Sequence, residues 1–297
     1  MYSLSEGFFN ASFETTVRLK KGDLKMRVLI TGGTGALGRM VVRKVVQEGH
    51  IVRVMSQTLR PPSDVPDVEW AHADLVLGDG VREAVDGVDA LIHLASDFNN
   101  PEAVDVEGTR QLVAASRTAG VSHLVYISIV GIDDIPTRYY KCKREAETII
   151  ESSGVPYSIQ RSTQFHSFVD NLLSKAARVP FVLPVPANFK FQSVDVSEVA
   201  ARLAGLLAEG PQGRAVDFAG PEILNVSEMA KAWLEVNGLR KTLLHLPIPG
   251  AAAKALRAGR NTAPIGIRGT IRWREWLARN LKPQVVSVKP SANAIRS

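Results

Sequence analysis

The stretch MRVLITGGTGALG at residues 26–38 sets a short apolar run directly against a glycine-rich turn, and ALGRMVVRKVVQEG (36–49) follows with helical spacing. MRVLIT (26–31) predicts a buried strand, because an unbroken apolar run suits a strand covered on both faces. Gly32, Gly35 and Gly38 form G-x-x-G-x-x-G. Glycines at these positions permit a tight turn and a close backbone, and the following helix offers free N–H groups to an anion. The turn residues Thr34, Ala36 and Leu37 belong to the same cradle. With a strand before it and a helix after it, the pattern points to a dinucleotide pyrophosphate. A nucleoside-triphosphate loop fails, because Arg39-Met40 stands where Lys-Ser/Thr is required.

Working outward, strand and helix alternate. HIVRVMS (50–56), VEWAHADL (68–75), VDALIHLAS (88–96), SHLVYISIVG (122–131) and VPYSIQR (155–161) read as further strands. Helices are predicted over 81–87, over 101–119 ending at Gly120, and over 139–154 ending at Gly154. This order implies an α/β fold with a doubly wound parallel sheet. Beyond Thr163 the alternation loosens around Pro180, Pro184, Pro186 and Pro211. Helices are still expected over 195–210 and 225–238, with Ser197 and Ser227 as caps. In 269–280 a stripe of Trp273, Trp276 and Leu277 reads as core packing. The organisation expected is a flexible extension (1–25), a nucleotide-binding domain (26–163), a C-terminal region partly interleaved with the sheet (164–282) and a disordered tail (283–297).

Composition narrows the class. In 297 residues, 45% hydrophobic and 22% charged, disorder and low-complexity folds are excluded as whole-chain descriptions. A single cysteine, Cys142, permits no internal disulfide and no Cys-rich zinc module, and no His/Asp/Glu grouping has metal-ligand spacing. No apolar run approaches the ~20 residues that span a bilayer, and residues 1–25 lack the pattern of a secretory signal. A cytoplasmic protein without a membrane segment is expected, as a monomer or homodimer. The net charge of +6 is uneven: from Arg240 onward 12 Lys/Arg face one acid, Glu275, leaving 24 basic and 29 acidic residues before it. A basic end of this kind suits anions, yet no nucleic-acid-binding motif accompanies it.

Selectivity for the dinucleotide is read at the end of the second strand. An acid about 20 residues after the glycines marks NAD sites, where it binds the ribose 2′-hydroxyl. Here the segment is Met55-Ser56-Gln57-Thr58-Leu59-Arg60. Nothing there repels a 2′-phosphate, and Ser56, Gln57 and Arg60 can receive one, so NADP(H) is favoured over NAD(H). Asp74-Leu75 either holds the adenine edge or caps the following turn. Leu94, Ala95 and Ser96 end the fourth strand at the carboxyl edge, where small side chains admit a ribose. His93 is expected to pack within its strand.

TGGTGALG, the ADL at 73–75, HLAS, the run VDVEGTRQLVAASRTAGVSHLVYIS (104–128), YYKCK and PYSIQRSTQF (156–165) resemble the atypical short-chain dehydrogenase/reductases, above all the NmrA-like and epimerase-like NAD(P)-binding proteins of bacteria. The resemblance spans roughly residues 26–280. It implies a Rossmann domain with a small C-terminal substrate-binding region, and a catalytic Ser-Tyr-Lys set. Tyr139 and Lys143 have the Y-x-x-x-K spacing, which puts both on one helix face. A phenol of pKa ~10 gains from a nearby cation, so Lys143 is expected to lower that of Tyr139 and to hold the nicotinamide ribose. Ser128 is expected to orient the substrate oxygen, although Ile129 replaces the family's second hydroxyl residue and only ten residues separate Ser128 from Tyr139. Thr163 and Gln164 would meet the carboxamide and Phe165 would shield the ring, with His166 and Phe168 opening the substrate pocket. The reading implied is an NADP(H)-dependent oxidoreductase of a small carbonyl or activated double bond. Its alternatives are a redox-sensing regulator without turnover and a nucleotide-sugar epimerase.

Overall fold

The computed structural model describes residues 25–58 and 68–280. Arg60, the tail at 283–297 and the extension at 1–25 apart from Lys25 lie outside the described residues. The chain begins β1 (Arg27–Thr31), α1 (Ala36–Gln47), β2 (Ile51–Ser56), β3 (Glu69–His72), α2 (Val81–Val85) and β4 (Ala90–His93). A π-helical turn, Glu102–Glu107, then leads into α3 (Gly108–Ala119), followed by β5 (His123–Ile129), α4 (Arg138–Glu151) and β6 (Tyr157–Ser162). The later chain adds α5 (His166–Ala176), β7 (Val182–Pro186), β8 (Lys190–Phe191), α6 (Val196–Glu209), β9 (Gly213–Arg214) and β10 (Phe218–Ala219). It ends with β11 (Leu224–Asn225), α7 (Val226–Val236), β12 (Thr242–Leu246), α8 (Ala251–Arg257), β13 (Ile267–Arg268) and α9 (Trp273–Arg279).

The main sheet runs β3-β2-β1-β4-β5-β6-β10-β13, every pair parallel, with β9 also beside β6. The 3-2-1-4-5-6 order is that of a doubly wound dinucleotide fold, as the alternation predicts. Two strands of the C-terminal region, β10 and β13, extend it.

Each face is covered by an apolar layer. On one face Val41, Val42 and Val45 of α1 meet Val199, Leu203 and Ala204 of α6 over Val28, Ile30 and Val54, all fully buried or nearly so. On the other, α2, α3 and α4 bring Val85, Leu112 and Ile150 onto Leu29, Leu91 and Tyr126. Burying one such side chain contributes about 1.5–3 kcal/mol, so these layers fix the sheet on which the site rests. A third cluster joins α5, α7 and α9 through Leu173, Trp233 and Trp273, and the Trp273 indole N–H donates to the Met229 carbonyl at 3.0 Å. The tryptophan stripe is core, as expected.

Two helix caps fall two residues earlier than the sequence suggests. Asp195 caps α6 by accepting from the Ser197 N–H, and Asn225 caps α7 in a capping box with Glu228. A carboxylate or amide oxygen placed before the first turn satisfies donors that Ser197 and Ser227, already inside the helix, cannot.

Candidate functional site

A cavity of about 850 Å³ opens at the carboxyl ends of β1, β4, β5 and β6, beside the point where the strand order reverses. Its inner floor is the glycine turn. Gly32 has φ +67°, and a Cβ there would stand 2.7 Å from the Ala95 nitrogen; one on Gly38 would stand 2.1 Å from the Gly32 carbonyl oxygen. Those two glycines are required by close backbone packing. Gly35 differs: an added Cβ would meet only the Gly32 oxygen, at 3.4 Å, yet the residue lines the cavity. Bare backbone facing open space at the start of α1 is the cradle a pyrophosphate needs, and the residues present fit NAD(P)H.

Behind the floor, His93 is fully buried and locks three elements together. The Thr109 hydroxyl donates to the Asp105 carbonyl at 2.5 Å, so it must accept from His93 Nε2–H at 3.0 Å. His93 Nδ1 then accepts from the Thr31 hydroxyl at 2.7 Å, and Thr31 Oγ1 in turn accepts from the N–H groups of Leu94 and Ala95. Burial first, and then the nearby Lys143 ammonium, push the His93 pKa down to about 3. The ring is neutral and structural, packed in its strand as the sequence reading expected.

The polar centre of the cavity is Tyr139, Ser96, Asp105 and Lys143. Ser96 Oγ donates to Asp105 Oδ1 at 2.7 Å and is 2.8 Å from the Tyr139 hydroxyl. Having one proton, Ser96 spends it on the carboxylate, so Tyr139 donates to Ser96. Lys143 and Asp105 are 2% and 0% exposed and stand 3.5 Å apart; the ammonium also donates to the Ile127 carbonyl at 3.0 Å and lies 4.2 Å from the Tyr126 ring centroid. Burial raises the Tyr139 pKa to about 12, and the expected lowering by Lys143 is not among the influences on it; the ammonium pairs with Asp105.

Ser128 lines the cavity with its hydroxyl turned to a carboxylate. Its hydroxyl donates at 2.6 Å to Glu147 Oε1, a fully buried carboxylate that also takes two N–H groups of Arg161 at 2.8 and 2.6 Å. This ties β5, α4 and β6 together and gives the Ser128 proton a partner other than a substrate oxygen. Burial acts to lower the Arg161 pKa, but Glu147 and Asp133 more than offset it and hold the guanidinium charged.

The remaining predicted residues divide cleanly. Gly32, Gly35, Ala36, Leu37, Gly38, Leu94, Ser96, Thr163, Gln164, Phe165 and Phe168 line the cavity. Asp74 caps its turn, accepting from the N–H groups of Val76 and Leu77 at 2.7 and 3.1 Å, while Leu75 is in the core beneath α3. Ser56 ends β2 and Gln57 follows it; Ser56 Oγ accepts from the Thr58 N–H. Thr34 presents its carbonyl to Arg39 Nε at 2.9 Å, and Ala95 bonds Thr31. His166 is not a wall of the cavity: it bonds Ser193 and the Ile271 carbonyl and packs against Trp273 and Trp276. Among the described residues, no group of three or more His, Cys, Asp or Glu is placed to hold a metal ion, and no helix is long and apolar enough to cross a membrane.

Sequence reasoning missed Asp105 and Glu147, the buried carboxylates that organise the site. The signal for Asp105 was an acid flanked by Val104 and Val106; the π-helical turn that carries it is a local departure often found at functional sites. Phe189, Phe191 and Leu256, which close the far side, come from β8, the residue before it and α8, where no motif announced them.

Comparison with known proteins agrees with this geometry. Residues 32–209 match the NAD(P)H-binding family. The (4-alkanoyl-5-oxo-2,5-dihydrofuran-3-yl)methyl phosphate reductase of Streptomyces griseus subsp. griseus is 30% identical over 222 residues, 71% of this chain and 74% of that protein. Citrobacter sp. triphenylmethane reductase, solved with NADP(H), has a TM-score of 0.69 at 20% identity, covering 85% of this chain and 99% of its own. A nucleoside-diphosphate-sugar epimerase of Staphylococcus aureus has a TM-score of 0.70 at 16% identity, covering 85% and 100%. At such identities the two structures share the fold. The glycine cradle, the strand order and the matched sequence together make this chain a member of the NAD(P)H-binding family of atypical short-chain dehydrogenase/reductases.

Proposed function

We propose that the protein is an NADP(H)-dependent reductase of a small carbonyl or activated double-bond substrate. The observation that carries this is the Tyr139 hydroxyl, which lines the cavity between the glycine cradle and the outer walls and donates to a serine backed by a buried carboxylate. NADP(H), when bound, supplies the hydride. Tyr139 holds a proton throughout the neutral range, since burial keeps its pKa near 12, and can pass it to an oxygen that gains negative charge. Ser96 holds the phenol in place, and Asp105 fixes the Ser96 hydroxyl. Lys143 offsets the Asp105 charge in the buried centre. Its ammonium has three donors, of which Ile127 and Asp105 occupy two; the third is suited to a cofactor ribose. The preference for NADP(H) rests on residues 55–58, which carry no carboxylate.

One observation favours a second reading, a cofactor-binding regulator without turnover: the Ser128 hydroxyl is committed to Glu147. NADPH oxidation followed at 340 nm with a panel of small ketones, enals and quinones separates the two. A reductase turns over at least one of them, and Tyr139→Phe lowers that rate about 10²-fold with NADPH affinity changed less than about twofold. Tight NADPH binding with no turnover across the panel supports the regulator and overturns the reductase. Calorimetric titration finding NADH the tighter ligand overturns the cofactor preference alone.

A further inference from the structure

The outer half of the cavity has a distinct chemistry. Phe98, Ile135, Phe168, Phe189, Phe191 and Leu256 form its walls, contributed by the β4–α3 and β5–α4 connections, α5, β8 and its approach, and α8. Beside the proton donor the walls are aromatic: the Phe98 and Tyr139 rings lie 5.2 Å apart at 54°, and Tyr139 and Tyr140 6.2 Å apart at 57°. Tilted pairs of this kind leave ring faces and edges for a further aromatic group.

Charge is absent from this half in usable form. Among the described residues lining the cavity there is no Asp, Glu or His, and the cations are Arg138 and Lys143. Arg138 is bonded through two nitrogens to the Glu102 carboxylate, and Lys143 is paired with Asp105. The polar groups left are neutral: the phenols of Tyr139 and Tyr140, each kept protonated by burial with a pKa near 12, the Thr137 hydroxyl, and the Asn261 amide, whose nitrogen donates to the Lys190 carbonyl.

The described cations of the basic C-terminal stretch do not line this half. Arg257 donates to the Ile248 carbonyl, Arg268 to the carbonyls of Pro221 and Pro264, Arg274 pairs with Glu235 and Arg279 with Glu275. None of these four lines the cavity. A phosphate or carboxylate entering the outer half would shed water and meet, among the described lining residues, only Arg138 and Lys143, each already paired with a carboxylate, an unfavourable exchange. An uncharged aromatic ring would instead bury apolar surface against aromatic walls, with its oxygen within reach of a phenol.

We infer that the substrate is an uncharged aromatic carbonyl compound, a ketone or quinone, and that anionic substrates such as phosphate esters and sugar nucleotides are excluded. This rests on the reductase reading for the chemistry but on the cavity alone for the ligand, so the two are tested separately. The binding arm measures 2-acetonaphthone, 2-naphthoate and 2-naphthyl phosphate against the protein saturated with NADP⁺, by calorimetry. The ketone is expected to bind about 30-fold or more tightly than either anion, the scale of one unpaired charge. An anion binding as tightly as the ketone, or no measurable binding of the ketone, overturns the inference.

A variant provides a second reading. Leu172, on α5, lines the cavity and is 45% exposed, so Leu172→Arg adds a cation without disturbing the core. It should shift the ketone-to-naphthoate ratio toward the anion by about tenfold, and an unchanged ratio means the ligand does not lie against this wall, which also overturns the inference. The kinetic arm follows NADPH oxidation with 2-acetonaphthone and 1,4-naphthoquinone. Preferential binding of the ketone with no oxidation of NADPH by either compound or by the wider panel leaves the ligand class standing and removes the reductase reading. Oxidation with tighter binding of the anions does the reverse.

Discussion

The inner and outer halves of the cavity are built from different material. The inner half is backbone: glycines pressed against strand ends, a helix start, and hydroxyl and imidazole groups that close each other's hydrogen bonds. The outer half is side chain, brought from five separate places in the chain. Backbone contacts at 2–3 Å leave one residue type acceptable at a position, whereas an apolar wall accepts many. The inner half therefore specifies one cofactor architecture, and the outer half is where a related chain can change its substrate.

The sharpest way to break that contrast is at the glycines. Gly38→Ala places a Cβ 2.1 Å from the Gly32 carbonyl oxygen and should cost about 3 kcal/mol or more of stability, with NADPH binding lost in a titration. Gly35→Ala, at an N-cap whose φ of −73° suits alanine, should cost no more than about 1 kcal/mol in stability, the poorer cap being partly offset by the stiffer unfolded chain. It should nevertheless weaken NADPH, because its methyl group enters the cradle. Equal effects of the two on melting temperature would mean that packing, not ligand access, governs both positions.

Next in size is the buried pair between the halves. Asp105→Asn leaves Lys143, 2% exposed, without its carboxylate, and should destabilise the protein by about 3–5 kcal/mol in urea unfolding. Adding Lys143→Met should recover at least half of that loss. No recovery would show that Asp105 acts through Ser96 rather than through the ion pair.

His93 gives a pH-dependent test. Its folded pKa of about 3 lies below the ordinary 6.5, so below pH 6.5 the unfolded chain takes a proton that the folded chain refuses. The stability His93 contributes is complete above about pH 6.5 and falls by about 1.4 kcal/mol per unit as pH drops toward 3. His93→Gln, unfolded by urea at pH 7, 6, 5 and 4, should show a slope shallower than wild type by that amount. Identical slopes would mean the imidazole is protonated in the folded state.

The smallest effects distinguish two serines that look alike in sequence. Ser96→Ala removes the acceptor of Tyr139 and should lower turnover about tenfold, less than the 10²–10⁴-fold of a whole general acid, because the phenol itself remains. Ser128→Ala should leave turnover within about twofold and cost about 1.5–3 kcal/mol of stability, the value of a hydrogen bond to a charged group such as Glu147. The opposite ranking in kcat would restore Ser128 as the group that meets the substrate.

By itself the sequence determined the sheet and the cradle. Both depend on local signals: apolar runs such as VDALIHLAS, glycines where φ is positive or backbones touch, and the three-residue spacing of Gly32, Gly35 and Gly38. It also placed Tyr139 and Lys143 on one helix, since i,i+4 spacing is a property of the helix alone. Only the tertiary structure decided what those side chains touch. Asp105 is 38 residues before Lys143 in sequence and 3.5 Å from it in space, and Glu147 captures Ser128 from across the β5–α4 connection. Which carboxylate claims a buried cation or hydroxyl depends on how α3 and α4 pack over the sheet, and no periodicity in the chain encodes that distance. The same holds for the aromatic walls, whose residues share a cavity because β8, α5 and α8 fold back over the strand ends.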